Sequence, residues 1–285
     1  MRVPVNGVHL YFDVEGAGLV PDGPAMRERE TLVLVHGGPS SDHAVFKPHM
    51  STFAEDAQVI YYDHRGHGRS DIGQAEDWTL AQWGADLAGL LDALEIERPY
   101  VLGASFGGFV AQSFATQFPD RVAKLALVST AARSDNTLSA EMFARLGGPE
   151  VGEVARAWLE QDEGADQEEF LSRCLPYYTV EELDVEALGR SVERPYLRDH
   201  FFGKGGEWHT FDLTGHLQQL TCPTLVLHGA LDPILPVSLA QEMHAAIRPD
   251  LARLHVVQNA GHGWGDQQDE WLSTLREFFF AEPNR

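Results

Sequence analysis

Cysteine is scarce in this chain: two residues, Cys174 and Cys222, in 285. Without C-x-x-C or other metal-ligand spacing, two thiols make neither a disulfide framework nor a zinc site, and they fit a cytoplasmic address. Basic residues are also few. Lys+Arg number 21 against 43 Asp+Glu, a net charge of −22, with lysine only at 47, 124 and 204. That excess of acid repels phosphate backbones and anionic lipid, which argues against nucleic acid and membrane as partners. No apolar run approaches the roughly 20 residues of a membrane span. The opening stretch "MRVPVNGVHLYFDVEG" lacks the apolar core of a secretory signal and alternates like a hairpin turning at Asn6-Gly7. No G-x-x-x-x-G-K-[ST], strand-borne G-x-G-x-x-G or H-E-x-x-H occurs, so neither cofactor nor metal is implied. His64-Arg65-Gly66-His67 has no carboxylate pattern that would make it a metal site. There is no internal repeat or low-complexity tract.

What the chain has is a recurring unit. Short apolar runs end in turn-forming or polar residues: "TLVLVH" (31–36), "QVIYYDHRGHG" (58–68), "PYVLGAS" (99–105), "KLALVST" (124–130), "PTLVLHGALD" (223–232) and "ARLHVVQNAGH" (252–262). Helical patterns lie between several of them, as in "TLAQWGADLAGLLDALEI" (79–96) and "VSLAQEMHAAI" (237–247), and "DEWLSTLREFFF" closes the series. Strand, helix, strand in repetition predicts an α/β fold, a mostly parallel doubly wound sheet with helices on both faces. The length suits one such domain. Residues 133–213 break the pattern, with helix-like pieces, no buried strand, and 18 acidic residues against 8 basic ones. They are expected to form a helical cap over the C-terminal edge of the sheet, dividing the chain into a core (1–132 and 214–285) and a cap.

The chemistry centres on Gly103-Ala104-Ser105-Phe106-Gly107, a G-x-S-x-G stretch where a strand hands over to a helix. A serine exposed on such a tight turn needs small residues two positions to either side, which Gly103 and Gly107 supply, while Gly108 lets the helix approach the sheet. Its hydroxyl is a weak nucleophile until a base takes the proton, and the base needs a third group to hold its tautomer. Asp232 follows one strand and His262 the next, giving the chain order Ser105, Asp232, His262. His64 and His67 lie upstream of the serine, His228 and His255 within strands and His244 in a helix. No aspartate follows "LVST" before Asp135, and Asp63 reads as part of a structural loop. An oxyanion would be met by the backbone N–H groups of Phe106 and of Gly38 in "HGGP". Pro39, Trp264, Trp158 and Tyr177 are the expected pocket residues, with Phe106, Tyr178, Phe201 and Trp208 as further aromatic candidates.

Taken in order, "LVHGGP", "DHRGHGRSD", "GASFGG", "HGALDPI" and "NAGHG" resemble the α/β-hydrolase superfamily over essentially the whole length. Within it, "HGGPSSDHAVFKP" and the aromatic after the serine are similar to the prolyl-iminopeptidase-like branch, whose members cleave a small N-terminal residue or an ester. The chain departs from that branch in having Ser40 where H-G-G-P-G is common, Phe106 where many carry Trp, and Pro233 beside Asp232 where an aminopeptidase would hold the substrate ammonium with an acid. Glu193 or Glu207 would have to take that role.

The expectation is therefore a cofactor-free serine hydrolase that cleaves an ester, lactone or amide of a small molecule through an acyl-enzyme, acting as a monomer or small homo-oligomer. The alternatives are an aminopeptidase of the prolyl-iminopeptidase type, a carbon–carbon bond hydrolase, and a non-catalytic small-ligand receptor on the same fold.

Overall fold

The computed structural model describes residues 1–181, 186 and 189–281. Strands β1 (Arg2–Val5) and β2 (Val8–Glu15) form the hairpin predicted at Asn6-Gly7, and both residues of that turn have positive φ. A second hairpin, β3 (Leu19–Asp22) and β4 (Ala25–Glu28), stands apart from the main sheet and has no alternating pattern that would have announced it. Six further strands coincide with the six apolar runs: β5 (Thr31–Val35), β6 (Gln58–Tyr62), β7 (Tyr100–Ala104), β8 (Lys124–Val128), β9 (Thr224–Gly229) and β10 (Ala252–Val257).

The eight-stranded sheet runs β1-β2-β6-β5-β7-β8-β9-β10, with β1 and β2 antiparallel and the rest parallel. Its central strands are apolar along their length because both faces are covered. Val33 and Val35 of β5 pack under α1 (Leu80–Ala93), α2 (Phe106–Gln117) and α7 (Val237–Ala246). Leu32 and Leu34 face α8 (Gln268–Phe280) and the 3-10 turns over 43–55. Cutting a fully buried side chain such as Leu102 back to alanine is expected to cost about 2–5 kcal/mol.

The strand order places β5 and β7 side by side at the centre, with β8 beyond, so their C-terminal ends share one edge. Between β8 and β9 the chain leaves the sheet through α3 (Asn136–Gly147), α4 (Pro149–Leu159), α5 (Gln167–Arg173) and α6 (Pro195–Phe202). This excursion sits against the same edge through buried Leu197, Phe201 and Trp208, which join the core of the α2 face. No described helix is long and apolar enough to cross a membrane.

Candidate active site

Ser105 lies between β7 and α2 with φ 52° and ψ −121°, a conformation that costs a non-glycine residue on the order of 1–3 kcal/mol. Three hydrogen bonds hold it there. Its N–H donates to Val128 O (2.9 Å), and its carbonyl accepts from Gly108 N–H and the Thr130 hydroxyl (both 2.8 Å). Glycine is required at 107 for a different reason: a Cβ there would collide with the Val35 and His36 carbonyls, and α2 could not seat against the end of β5.

The two loops at the far side bring in the other groups. Asp232 is fully buried after β9, and its Oδ1 accepts from Ile234 and Leu235 N–H (3.0 Å each). Its Oδ2 lies 2.7 Å from His262 Nδ1, and His262 Nε2 is 3.0 Å from Ser105 Oγ. With Nδ1–H donating to the carboxylate, Nε2 is left to accept the serine proton. Burial pushes the Asp232 carboxyl up, but His262 and His228 outweigh it and hold the group well below the usual carboxylate range. His228 stays within β9 and faces Leu235 O (2.6 Å).

The His262 loop is held on every side. Gly261 N–H donates to Asp266 (2.8 Å), His262 N–H to the Tyr178 carbonyl (2.6 Å) and Gly263 N–H to Ser129 Oγ (2.9 Å). Asp266, itself buried, also accepts from Val180 N–H (2.8 Å) and Glu181 N–H (2.6 Å) of the excursion. Neither the main-chain role of Tyr178 nor the side-chain role of Asp266 is apparent in the sequence, since no motif announces an acceptor so placed.

Across the cavity, Gly38 has φ 137°, a conformation suited to glycine, and lies beside the serine. Among the described residues neither Gly38 N–H nor Phe106 N–H donates to another group. His36 Nδ1–H donates to Gly37 O (2.7 Å), and a trans peptide points its N–H opposite to its carbonyl, so this bond fixes where Gly38 N–H aims. His36, His64 and His67 are packed together beneath Phe106, with His36 and His64 ring centres 4.1 Å apart. Burial holds all three neutral: His36 and His64 are pushed down, and His67 is lowered to about 3. They are framework, as Asp63 is, whose carboxylate takes His43 Nδ1–H (2.6 Å) and the N–H groups of His43 (3.1 Å) and Arg69 (2.8 Å). Asp42, His43 and Asp63 have the spacing of a metal site, yet protein donors already occupy all four carboxylate oxygens, which makes the cluster a knot in the loop. Cys174 and Cys222 are buried free thiols, and burial raises Cys174 to about 11, so neither is an alternative nucleophile.

Ser105 and His262 open into a cavity of about 540 Å³ with mostly apolar walls. Pro39 and Trp158 line it. The other two expected pocket residues do not. Trp264 turns to the opposite face of the sheet and stacks on Phe46 with ring centres 5.3 Å apart. Tyr177 packs over Gly147, while its neighbour Tyr178 faces the cavity. Phe109, one helical turn after Phe106, and Ile234 and Leu235, just past Asp232, complete the core side. Their positions next to motif residues were the available signal. Phe170, Phe202 and Trp208 come from the excursion. Of the two carboxylates proposed to hold an ammonium, Glu207 instead accepts Leu80 N–H (2.7 Å) at the start of α1, and burial raises its pKa. Glu193 does line the cavity, with its two oxygens taking the hydroxyls of Ser40 (2.7 Å) and Ser41 (2.9 Å).

Comparison with known proteins follows the same outline. RutD of Caulobacter sp. (strain K31), which carries the provisional name carbamate hydrolase, is 29% identical over 255 residues, 90% of this chain and 89% of its own. The crystal structure of proline iminopeptidase from Mycobacterium smegmatis superposes with a TM-score of 0.79 at 23% identity, covering 98% of this chain and 96% of that one. A malate-bound thermophilic esterase from Thermogutta terrifontis gives 0.65 at 27%, covering 97% of each. The family model described as alpha/beta hydrolase fold matches residues 30–264, and with the sheet order and the Ser105 turn it makes this chain a member of the α/β-hydrolase family.

Proposed function

We propose that the protein is a serine hydrolase acting on an ester, lactone or carbamate of a small, largely apolar molecule, with the β8–β9 excursion as its cap. The observation that carries this reading is the continuous hydrogen-bonded line from Asp232 through His262 to Ser105 at the floor of the cavity. Ser105 Oγ attacks the carbonyl carbon while His262 Nε2 takes its proton. The oxygen, now negative, is met by Gly38 and Phe106 N–H, and Asp232 stabilises the imidazolium. His262 then returns the proton to the departing alkoxide. Water, deprotonated by the same nitrogen, releases the acid and restores the serine.

A fluorophosphonate probe followed by intact-mass measurement tests this. One adduct mapped to Ser105 and absent from Ser105→Ala is expected; an active preparation without that adduct overturns the assignment. The aminopeptidase reading is favoured by one observation, Glu193 within the cavity, and opposed by another, the two serine hydroxyls already on its oxygens. Comparing kcat/KM for proline p-nitroanilide, a short p-nitrophenyl ester and an acyl lactone separates the two. Ester or lactone is expected to lead, and an anilide preference would assign Glu193 to an ammonium group.

A further inference from the structure

Among the described residues, the cavity wall contains one arginine and no lysine: Arg198, on α6. The helix explains how it comes to face that way. Leu197 and Phe201, four apart, are buried against the aromatic core around Phe106, and Arg198 and Phe202 form the adjacent ridge, which turns to the cavity. Phe202 and Trp158, with ring centres 5.5 Å apart, are its apolar companions there.

Arg198 differs from the ion-paired arginines Arg156 and Arg173 of the excursion. Arg156 is shared among Glu153, Glu160 and Asp162, and Arg173 between Glu150 and Glu169, all on the outer surface. Arg198 has 24% of its side chain exposed, and among the described residues its one carboxylate contact is a 3.3 Å approach to its sequence neighbour Asp199. A guanidinium carries five N–H donors, so most of this one is unused among the described residues. A second, smaller depression of about 190 Å³ shares Trp158, Gln167, Arg198 and Phe202 with the main cavity, and its remaining wall is Gln161, Ala165, Gly203 and the two carboxylates Asp162 and Asp199. The space therefore runs from the serine through aromatic walls to a cation at a polar rim.

We propose that Arg198 is a specificity residue that receives a carboxylate at the far end of the acyl group, so that the preferred substrates are monoesters of dicarboxylic acids. The proposal rests on the hydrolase reading of Ser105 and adds the substrate class. The net charge of −22 acts weakly here, because at physiological ionic strength charges beyond about 8 Å are largely screened; of the carboxylates nearby, Glu193 already takes the Ser40 and Ser41 hydroxyls, while Asp199 and Asp162 share the rim with Arg198 and compete with the ligand for its guanidinium. A planar fork with spare donors suits a carboxylate better than a lone ammonium would.

The test compares mono-p-nitrophenyl esters of adipic, suberic and sebacic acids with their methyl-capped counterparts, in wild type, Arg198→Gln and Arg198→Lys. At the matching chain length the free acid is expected to lead in kcat/KM by about tenfold or more, mainly through KM. Arg198→Gln brings that ratio to about one, and Arg198→Lys keeps part of it. Equal rates for acid and capped ester in wild type, or a ratio unchanged in Arg198→Gln, overturns the proposal. Thermal shift with monomethyl adipate, suberate and sebacate reads the anion site without turnover. Stabilisation of wild type but not of Arg198→Gln, together with no Ser105 labelling, would keep the anion site and lose the hydrolase reading. Labelling and ester turnover with no acid preference would do the reverse.

Discussion

The floor and the roof of the cavity are built by different means. On the floor, Ser105, His262 and the Gly38 turn are placed by hydrogen bonds to and from loops at strand ends, which leave the Gly38 and Phe106 N–H groups free among the described residues. On the roof, Trp158 packs against both Phe170, stacked at 4.2 Å, and Phe202, and hydrogen bonding does little to fix these rings. A floor set by the main chain tolerates almost no change in a reacting atom. A roof set by packing can be recut to new shapes within the volume that apolar side chains allow. The proposed chemistry belongs to the first and the choice of acyl group to the second.

Changes to the floor should give the largest effects. Ser105→Ala is expected to lower ester kcat by at least about 10⁴-fold with the melting temperature preserved. Asp232→Asn is next, at about 10³- to 10⁴-fold. Its Oδ1 can still accept from Ile234 and Leu235, but an amide facing His262 Nδ1 donates where the carboxylate accepted, so the imidazole is left in the wrong tautomer. Recovery of wild-type rate in either variant would remove that residue from the mechanism.

Asp266→Ala tests the joint between floor and roof. It strips the acceptor from Gly261, Val180 and Glu181 N–H, and an unsatisfied buried donor costs about 1–3 kcal/mol. A drop of several degrees in melting temperature is expected, with kcat down about tenfold and KM changed less. Asp266→Asn, which keeps one acceptor, should recover part of both; a fall in stability alone would make Asp266 a purely structural residue. For the roof itself, Trp158→Ala should leave the rate of fluorophosphonate labelling nearly unchanged. It should shift the kcat/KM ratio between long and short acyl esters about three- to tenfold.

A smaller effect concerns acid stability. His67 titrates at about 3 in the folded state against an ordinary 6.5, so between those values the unfolded chain binds the extra proton and stability is lost as pH falls. Each such histidine contributes up to about 1.4 kcal/mol per pH unit in that window. His67→Gln should flatten the slope of melting temperature between pH 6 and about 4.5, above the range in which Asp232 and Asp63 lose their charge. An unchanged slope would place the acid sensitivity elsewhere.

The sheet was legible because burial on both faces writes itself into the sequence as short β-branched runs, and all six of them became strands. Ser105, Asp232 and His262 were legible because strand ends are the positions a doubly wound sheet brings to one edge. The pocket was less so. Trp264 sits two residues from His262, but the loop turns at Gly263 and sends the indole to the other face of the sheet. Tyr177 and Tyr178 are adjacent and equally aromatic, and only packing against Gly147 decides which one faces inward. Periodicity reads faces of regular elements; it cannot read the direction of a side chain in a turn.

The excursion grips both jaws of the site. Val192 N–H donates to Asp42 (3.0 Å), Arg194 N–H to Ser40 O (2.8 Å), and Glu193 takes two hydroxyls of the Gly38 turn, while the Tyr178 carbonyl and Asp266 hold the His262 loop. For anyone wishing to exchange this roof for that of a relative, the seam is therefore not at the sheet edge. A graft that swaps only the ring-bearing helices inherits a working floor. One that cuts through 178–181 or 192–194 also replaces the fasteners of the Gly38 turn and the His262 loop, so under the proposed chemistry new selectivity would arrive with slower turnover.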